Sequence, residues 1–377
     1  MSDQDSVNDA IERLEWMDAK EEPTPHSAFK AFSRRTALTG GAAGLAALLL
    51  EACGGGGGKT TSATATTGGG GGSGIFGVSA KYKFTFVNHV TTNPFFVPTK
   101  YGAEDACKLL GCSYQWTGSA SSNVTEMVNA VNSAITAGVD GIAVALVDQT
   151  AFNGPVQKAL NKNIPVVGYN ADATSNPRLA YIGQDLFVSG QEMGKRILSL
   201  VPGGSPIALF IATPGSLNIQ PRIDGAKDSI GSKLKVDTVA TGAATAHELS
   251  VIQSYAQGHP DIKGMFAVDS GSTIAVGQTI QKQNLKGKVK AGGYDLTTPT
   301  PTLVQGGFLD FTIDQQAYLQ GFLPVLELFF LKASQGLTGA ADVNTGLKFV
   351  DAKTVTTYVS TKTRYEGSSS KPGVAQA

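Results

Sequence analysis

Strand-like and helix-like patterns alternate twice over between residues 83 and 293. That alternation limits more than any other feature what this chain of 377 residues can become. Residues 83–89 read as a buried strand of aromatic and β-branched residues, with a helix over 95–110 behind it. A short strand at 113–116 follows, then a helix at 123–136 carrying Val124, Met127, Val128, Val131 and Ile135 at helical spacing. A strand at 140–146, a helix at 152–163 and a strand at 164–169 complete the first series. After 181–185 the pattern restarts, with helices at 188–200, 219–230, 246–257 and 273–283 alternating with strands at 206–212, 234–240, 264–268 and 289–293. A helix over 316–333 and a strand near 347–350 come last. Strands separated by helices are joined by βαβ crossovers, which build parallel sheets. The near-continuous apolar run Gly141-Ile142-Ala143-Val144-Ala145-Leu146 suits a strand covered on both faces. No linker or charge block divides the two series, so the expected fold is α/β: two lobes joined by a short hinge, each with its own doubly wound parallel sheet.

The amino-terminal part has a different character. Residues 1–52 read as an export signal: a polar stretch, then Ser33-Arg34-Arg35-Thr36-Ala37-Leu38, then a mild apolar run over 37–50. That run is too short to span a bilayer core of roughly 30 Å but suits a signal h-region, and the arginine pair resembles the twin-arginine type. Leu50-Glu51-Ala52-Cys53 looks like a lipoprotein cleavage box with Cys53 as the lipidated residue, although Glu51 departs from the small residue usual there. Residues 53–81, rich in Gly and Thr, have almost nothing to bury and read as a tether.

Composition removes several functions. Lys+Arg 30 against Asp+Glu 30 offers no electrostatic basis for nucleic-acid binding. Three cysteines exclude a four-cysteine metal site, and four scattered histidines argue against a histidine cluster, so no metal or cofactor is expected. Cys107 and Cys112 flank a helix end; a disulfide is compatible with export, and a pair of buried thiols fits equally.

The ordered set Phe86-Val87-Asn88, Asn93-Pro94-Phe95-Phe96, Ile164-Pro165-Val166-Val167, Gly258-His259-Pro260-Asp261 and Gly293-Tyr294-Asp295 resembles the substrate-binding proteins of sugar ABC importers, of the ribose-binding type. The resemblance covers about 83–359 and implies the two-lobed periplasmic-binding-protein fold. It places 82–184 plus 316–347 in lobe one, 185–315 plus 348–364 in lobe two, and leaves 365–377 as a flexible tail. It also implies a monomeric receptor for a monosaccharide or polyol, with the importer's membrane subunits as partners and the membrane reached through the lipid anchor.

Open α/β sheets bind ligands beyond the carboxyl ends of their strands, where each candidate falls. Asn93 can both donate to and accept from a hydroxyl, or serve as a turn residue before Pro94. Phe95 and Phe96 offer a flat apolar face to a sugar ring or fill the core; His89 follows the first strand at a matching position. Asn170 can replace an aspartate of the ribose-binding pattern, but Ala171 cannot replace its arginine, which puts ribose itself in doubt; Asp172 restores some polarity or caps a turn. Arg222 stands early in a helix, where the dipole repels a cation, and matches the family's sugar-clamping arginine. Asp295 matches the hydroxyl-accepting carboxylate, Asp269 stands where an asparagine is usual, and Gln315 matches a glutamine near the hinge. Ala243 occupies the place of a second stacking aromatic. The sequence holds no GxSxG or HExxH motif. Catalysis is therefore not expected, with a receptor for a non-sugar molecule and a glycosidase-like exported enzyme as the alternatives.

Overall fold

The computed structural model describes residues 81–376; Arg34, Arg35, Cys53 and nearly all of the expected tether lie outside the described residues. Two six-stranded sheets organise the chain. The first comprises β1 (Lys83–Asn88), β2 (Ser113–Gly118), β3 (Gly141–Val144), β4 (Val166–Tyr169), β5 (Ala180–Gly183) and β11 (Val343–Asn344), in the order β11-β5-β4-β3-β1-β2 and parallel throughout. The second comprises β6 (Pro206–Ile211), β7 (Lys235–Ala240), β8 (Gly264–Ala267), β9 (Lys290–Tyr294), β10 (Phe311–Asp314) and β12 (Lys348–Asp351), in the order β12-β10-β9-β8-β6-β7. Only β12 runs antiparallel there, against β10.

Helices cover both sheets. They are α1 (Val97–Leu110), α2 (Val124–Ala137), α3 (Asn153–Asn161), α4 (Leu186–Leu200), α5 (Gln220–Ile230), α6 (Thr245–Gly258), α7 (Ser270–Lys282), α8 (Thr300–Gln305), α9 (Leu319–Ala333) and α10 (Thr356–Ser360). The unbroken apolar strands have a direct reason. Along β6, Ala208 and Phe210 enter one core while Ile207, Leu209 and Ile211 enter another on the opposite face, because successive side chains of a strand alternate. In the first sheet Phe86 sits in register with Trp116 and Ala143, and its ring meets Tyr114, Trp116 and Tyr169.

The chain passes between sheets three times in the strand order: from β5 to β6 through α4, from β10 to β11 through α9, and from β11 to β12. These passages are joined by polar contacts. Gln184 donates to the carbonyl of Gly346 at 3.0 Å, and Thr345 and Gln320 donate to the carbonyl of Gln315 at 2.9 and 3.0 Å.

Several expectations change here. The helix expected over 95–110 begins as a 3-10 turn at Pro94–Phe96, and β5 and β11 are strands that the patterning did not resolve. Cys107 and Cys112 are free thiols: the amide of Cys112 caps the end of α1 on the Cys107 carbonyl, and burial pushes both thiols up, to about 12 and about 11. The stretch expected to be a flexible tail instead returns as β14 (Val374–Gln376), paired antiparallel with β13 (Thr361–Thr363). Arg364, expected at the end of lobe two, lies against α1, where its guanidinium meets Glu104 at 2.8 Å, Asp105 at 3.0 Å and the ring of Tyr101. No helix among the described residues is long and apolar enough to cross a membrane.

Candidate sugar-binding cleft

Within the parallel part of each sheet the strand order reverses between the first strand and the third. Loops leaving the carboxyl ends there diverge and open a crevice. The two crevices face one another across a cavity open to solvent. From the first lobe come His89, Asn93, Phe95, Phe96 and Asn170; from the second come Asn218, Ile219, Arg222, Asp269, Ser270, Asp295 and Gln315. A neighbouring cavity shares Phe95 and Asp295 and is walled by Pro94, Pro98, Asp314, Tyr365 and Glu366.

Every expected contact residue except Asp172 therefore lines one space. The Asp172 carboxylate instead takes Nε and Nη2 of Arg178 at 2.5 and 2.6 Å, neutralising a mostly buried arginine six residues on. Ala171 is wholly buried. Asn218, Ile219 and Ser270 were not expected. Asn218 follows β6 at a strand's carboxyl end, so topology could have pointed to it, but its sequence context is an ordinary Gly-Ser-rich loop.

On the first-lobe wall, the side chain of Asn93 accepts from the amide of Phe95 at 2.9 Å and starts the 3-10 turn, so it is a turn residue and a cavity residue together. Phe95 and Phe96 meet edge to face, their centroids 4.8 Å apart; Phe96 also meets the edge of His89 and packs on Trp116. Asn170 adopts a left-handed backbone, φ 64°, immediately after β4, and its side chain donates to Gln320 at 3.1 Å.

Across the cavity, Arg222 occupies the first turn of α5, yet it is only 2% exposed. Its Nη1 donates to the carbonyl of Val268 at 2.9 Å, Nη2 reaches Gln184 at 3.4 Å, and the guanidinium lies over the Tyr294 ring at 4.0 Å. Gly190 makes this placement fit: a Cβ there would stand 2.3 Å from the carbonyl oxygen of Arg222, so only glycine lets α4 lie so close to α5. The Nε of Arg222 and Nδ1 of His89 are buried with no hydrogen-bond partner among the described residues. Such groups cost about 1–3 kcal/mol each when left unpaired and mark where a ligand would be welcome.

Asp295 also has a left-handed backbone, φ 77°, just beyond β9. Two non-glycine residues in this region at facing strand ends are typical of a functional site, where the surrounding fold holds the strain. The Asp295 carboxylate accepts from Gln315 at 2.7 Å; burial pushes its pKa up to about 6 while Arg222 draws it down. Asp269 caps α7, accepting from the amide of Ser272 at 2.9 Å, and also accepts from the amide of Ala212 at 2.9 Å. Burial raises its pKa, and those amides and Arg222 oppose the rise. Burial lowers His89 to about 4, so the ring is neutral near pH 7. Its Nε2 lies 3.2 Å from the Asn218 amide nitrogen, which can only donate, so the ring proton sits on Nδ1. That contact crosses from one lobe to the other, as does the bond from the Leu217 amide to the Val147 carbonyl at 3.2 Å; the lobes are closed on each other.

Residues 84–333 match the family model of the periplasmic binding protein domain, about two-thirds of the chain. The chain belongs to the periplasmic binding protein family. Among curated relatives, the xylose/arabinose-binding protein of Sulfolobus acidocaldarius is 51% identical over 303 residues, covering 76% of this chain and 75% of the relative. The ribose import binding protein of Escherichia coli is 25% identical over 239 residues, covering 63% and 80%. Among solved structures, an ABC transporter solute-binding protein from Burkholderia graminis in complex with D-arabinose superposes with a TM-score of 0.70 at 24% identity, covering 74% of this chain and 97% of that one. At that identity the likeness concerns the fold: two facing α/β lobes. For a periplasmic binding protein, the cavity between the facing strand ends lies where this architecture holds its ligand.

Proposed function

We propose that this protein is an extracytoplasmic receptor that closes over a monosaccharide, a pentose of the xylose or arabinose kind, and presents it to an ABC importer. The observation that carries the reading is the meeting of Arg222, Asp269, Asp295, Asn93, Asn170 and Gln315 with Phe95 and Phe96 round one cavity, in a chain 51% identical to a xylose/arabinose-binding protein. A polyol both donates and accepts at each hydroxyl, so it can feed carboxylates and amides while taking hydrogen bonds from the guanidinium; the phenylalanines cover the apolar C–H face of the ring. Arg222 alone carries positive charge among the cavity's side chains, against two carboxylates, which suits neutral ligands over anionic ones.

Closure works as a population shift: contacts made by ligand to both walls exist only in the closed form. The chain's passages between lobes, near residues 184–185, 315–316 and 346–348, act as the hinge. Delivery requires no bond to be made or broken, and the importer's membrane subunits read the relative orientation of the lobes. A twin-arginine signal and lipidation at Cys53 would hold the receptor, as a monomer, at the outer face of the membrane. Replacement of Cys53 by alanine is then expected to release it from the membrane fraction.

A thermal-shift panel of pentoses, hexoses and linear polyols tests the reading. Stabilisation by D-xylose or L-arabinose is expected, with the sugar recovered chemically unchanged. No shift with any sugar or polyol would overturn it.

A further inference from the structure

The carboxyl group of Glu248 lies behind the cleft and touches none of the cavity. Glu248 sits in the first turn of α6 with only 3% of its surface exposed, although its place near a helix start would suit a solvated acid. It is packed against the first turn of α7. A Cβ on Gly271 would fall 2.1 Å from Oε2 and 2.5 Å from Oε1 of Glu248, so the carboxyl fills the room that the missing side chain leaves. Around it are Ser272, whose hydroxyl lies 3.5 Å from Oε1 of Glu248 and whose amide donates to Asp269 at 2.9 Å, and Thr241, which shares a 2.8 Å hydrogen bond with the Ser272 hydroxyl. The two carboxyls thus meet round one serine, near enough for the charge of Asp269 to act on Glu248.

Two buried carboxyls side by side ionise together only at large cost, which favours one proton held between them. Its location follows from the donors. Asp269 already receives the amides of Ser272 and Ala212 and feels the Arg222 guanidinium, all of which favour its ionised form. Glu248 has only a long contact from Ser272 in its favour, so of the two it is the better holder of the proton. Burial, then the Asp269 charge, push Glu248 up to about 8. The other titratable groups nearby are Asp295, which like Asp269 feels the Arg222 guanidinium, and His247, which precedes Glu248 on α6 and packs at Gly242.

We propose that Glu248 is a positioning residue of the ligand site: it acts through Asp269, sharing one proton with it, and that proton keeps Asp269 a singly charged acceptor facing the cleft. The proposal rests on the sugar-receptor reading for its binding consequence. Loss of the proton places a second negative charge against Asp269 and forces the two carboxyls apart, which spoils the cleft wall. Affinity for D-xylose is therefore expected to fall by roughly tenfold per pH unit above the pair's upper titration near pH 8. Loss of affinity on the acid side belongs instead to Asp295.

The test is calorimetric titration of the full chain with D-xylose from about pH 6 to about pH 9.5, a range that brackets the upper titration of the pair, for wild type and Glu248→Gln. The amide is uncharged, as the protonated acid is, but cannot titrate. The expected result is an alkaline loss of affinity in wild type and none in E248Q. An equal loss in both, or none in wild type, would overturn the proposal. A second arm needs no ligand. The folded chain holds the Glu248 proton to about pH 8, whereas an exposed glutamate releases it near 4.5, so this group costs stability increasingly as pH rises between those values. The melting temperature of E248Q relative to wild type should climb from about pH 5 to about pH 8; a constant difference counts against the shared proton. If D-xylose and all other sugars fail to bind, the receptor reading falls while this arm still decides the proposal.

Discussion

At the scale of single residues, Arg222 and Asp295 show how burial and function share one cause. Each charge is removed from water, and neither is fully satisfied by the protein: Arg222 keeps an unpaired Nε, and Asp295 is pushed up to about 6. A bound polyol would accept from the first and donate to the second. Truncation of either to alanine is expected to cost roughly 2–5 kcal/mol of binding, measured by titration calorimetry. The double mutant should lose less than the sum of the two, because part of each single loss is the penalty of leaving the other charge unpaired. The acid side of the pH profile follows from Asp295. Its ionised form is the better acceptor, so affinity should weaken as pH falls through about 6, and Asp295→Asn should flatten that limb. Asp295 was legible in the sequence because it follows an apolar strand, and Arg222 because a cation early in a helix sits where the dipole repels it. Asp172 was misplaced for a local reason: it also follows a strand, but Arg178 on the same loop claims its carboxylate. Glu248 gave no signal, since only the packing of α6 on Gly271 turns an ordinary acid on a helix start into a buried one.

At the scale of elements, most of the fold was readable because strand and helix patterns are local. Leu209 and Phe210 point to opposite cores, so both must be apolar, and the run reads as a strand covered on both sides. The failures came where tertiary contacts decide. The two-residue β11 exists only as a partner of β5, and the carboxyl-terminal strap docks through Arg364 on Glu104 and Asp105, about 260 residues away in sequence. Tyr365 adds an edge contact to Tyr318, with ring centroids 4.9 Å apart. The strap thus runs from α10, which rests on α8 of the second lobe, to α1 of the first. Arg364→Ala should release it: amide protons of residues 361–376 are expected to exchange faster in the variant, while those of β1 and β6 keep their protection. Unchanged exchange in the strap would mean that β13 and β14 hold it without the ion pairs.

For the whole molecule, two sheets of the same strand order face each other at their switch points, and the cavity between them is a consequence of topology before it is one of chemistry. The walls meet directly through His89 and Asn218 and through Val147 and Leu217, so these contacts add to those a ligand makes in holding the lobes together. Asn218→Ala should remove one such tie and weaken ligand affinity by a few-fold, measured by titration calorimetry. The central claim is that Arg222 and Asp295 of one lobe, with Asn93 and Phe96 of the other, hold one neutral sugar. Calorimetric titration of D-xylose and L-arabinose into wild type, R222A and D295A tests it most directly. Saturable one-to-one binding to wild type, weakened by roughly 30-fold or more in each variant, is the predicted result; wild-type affinity in both variants would contradict the account.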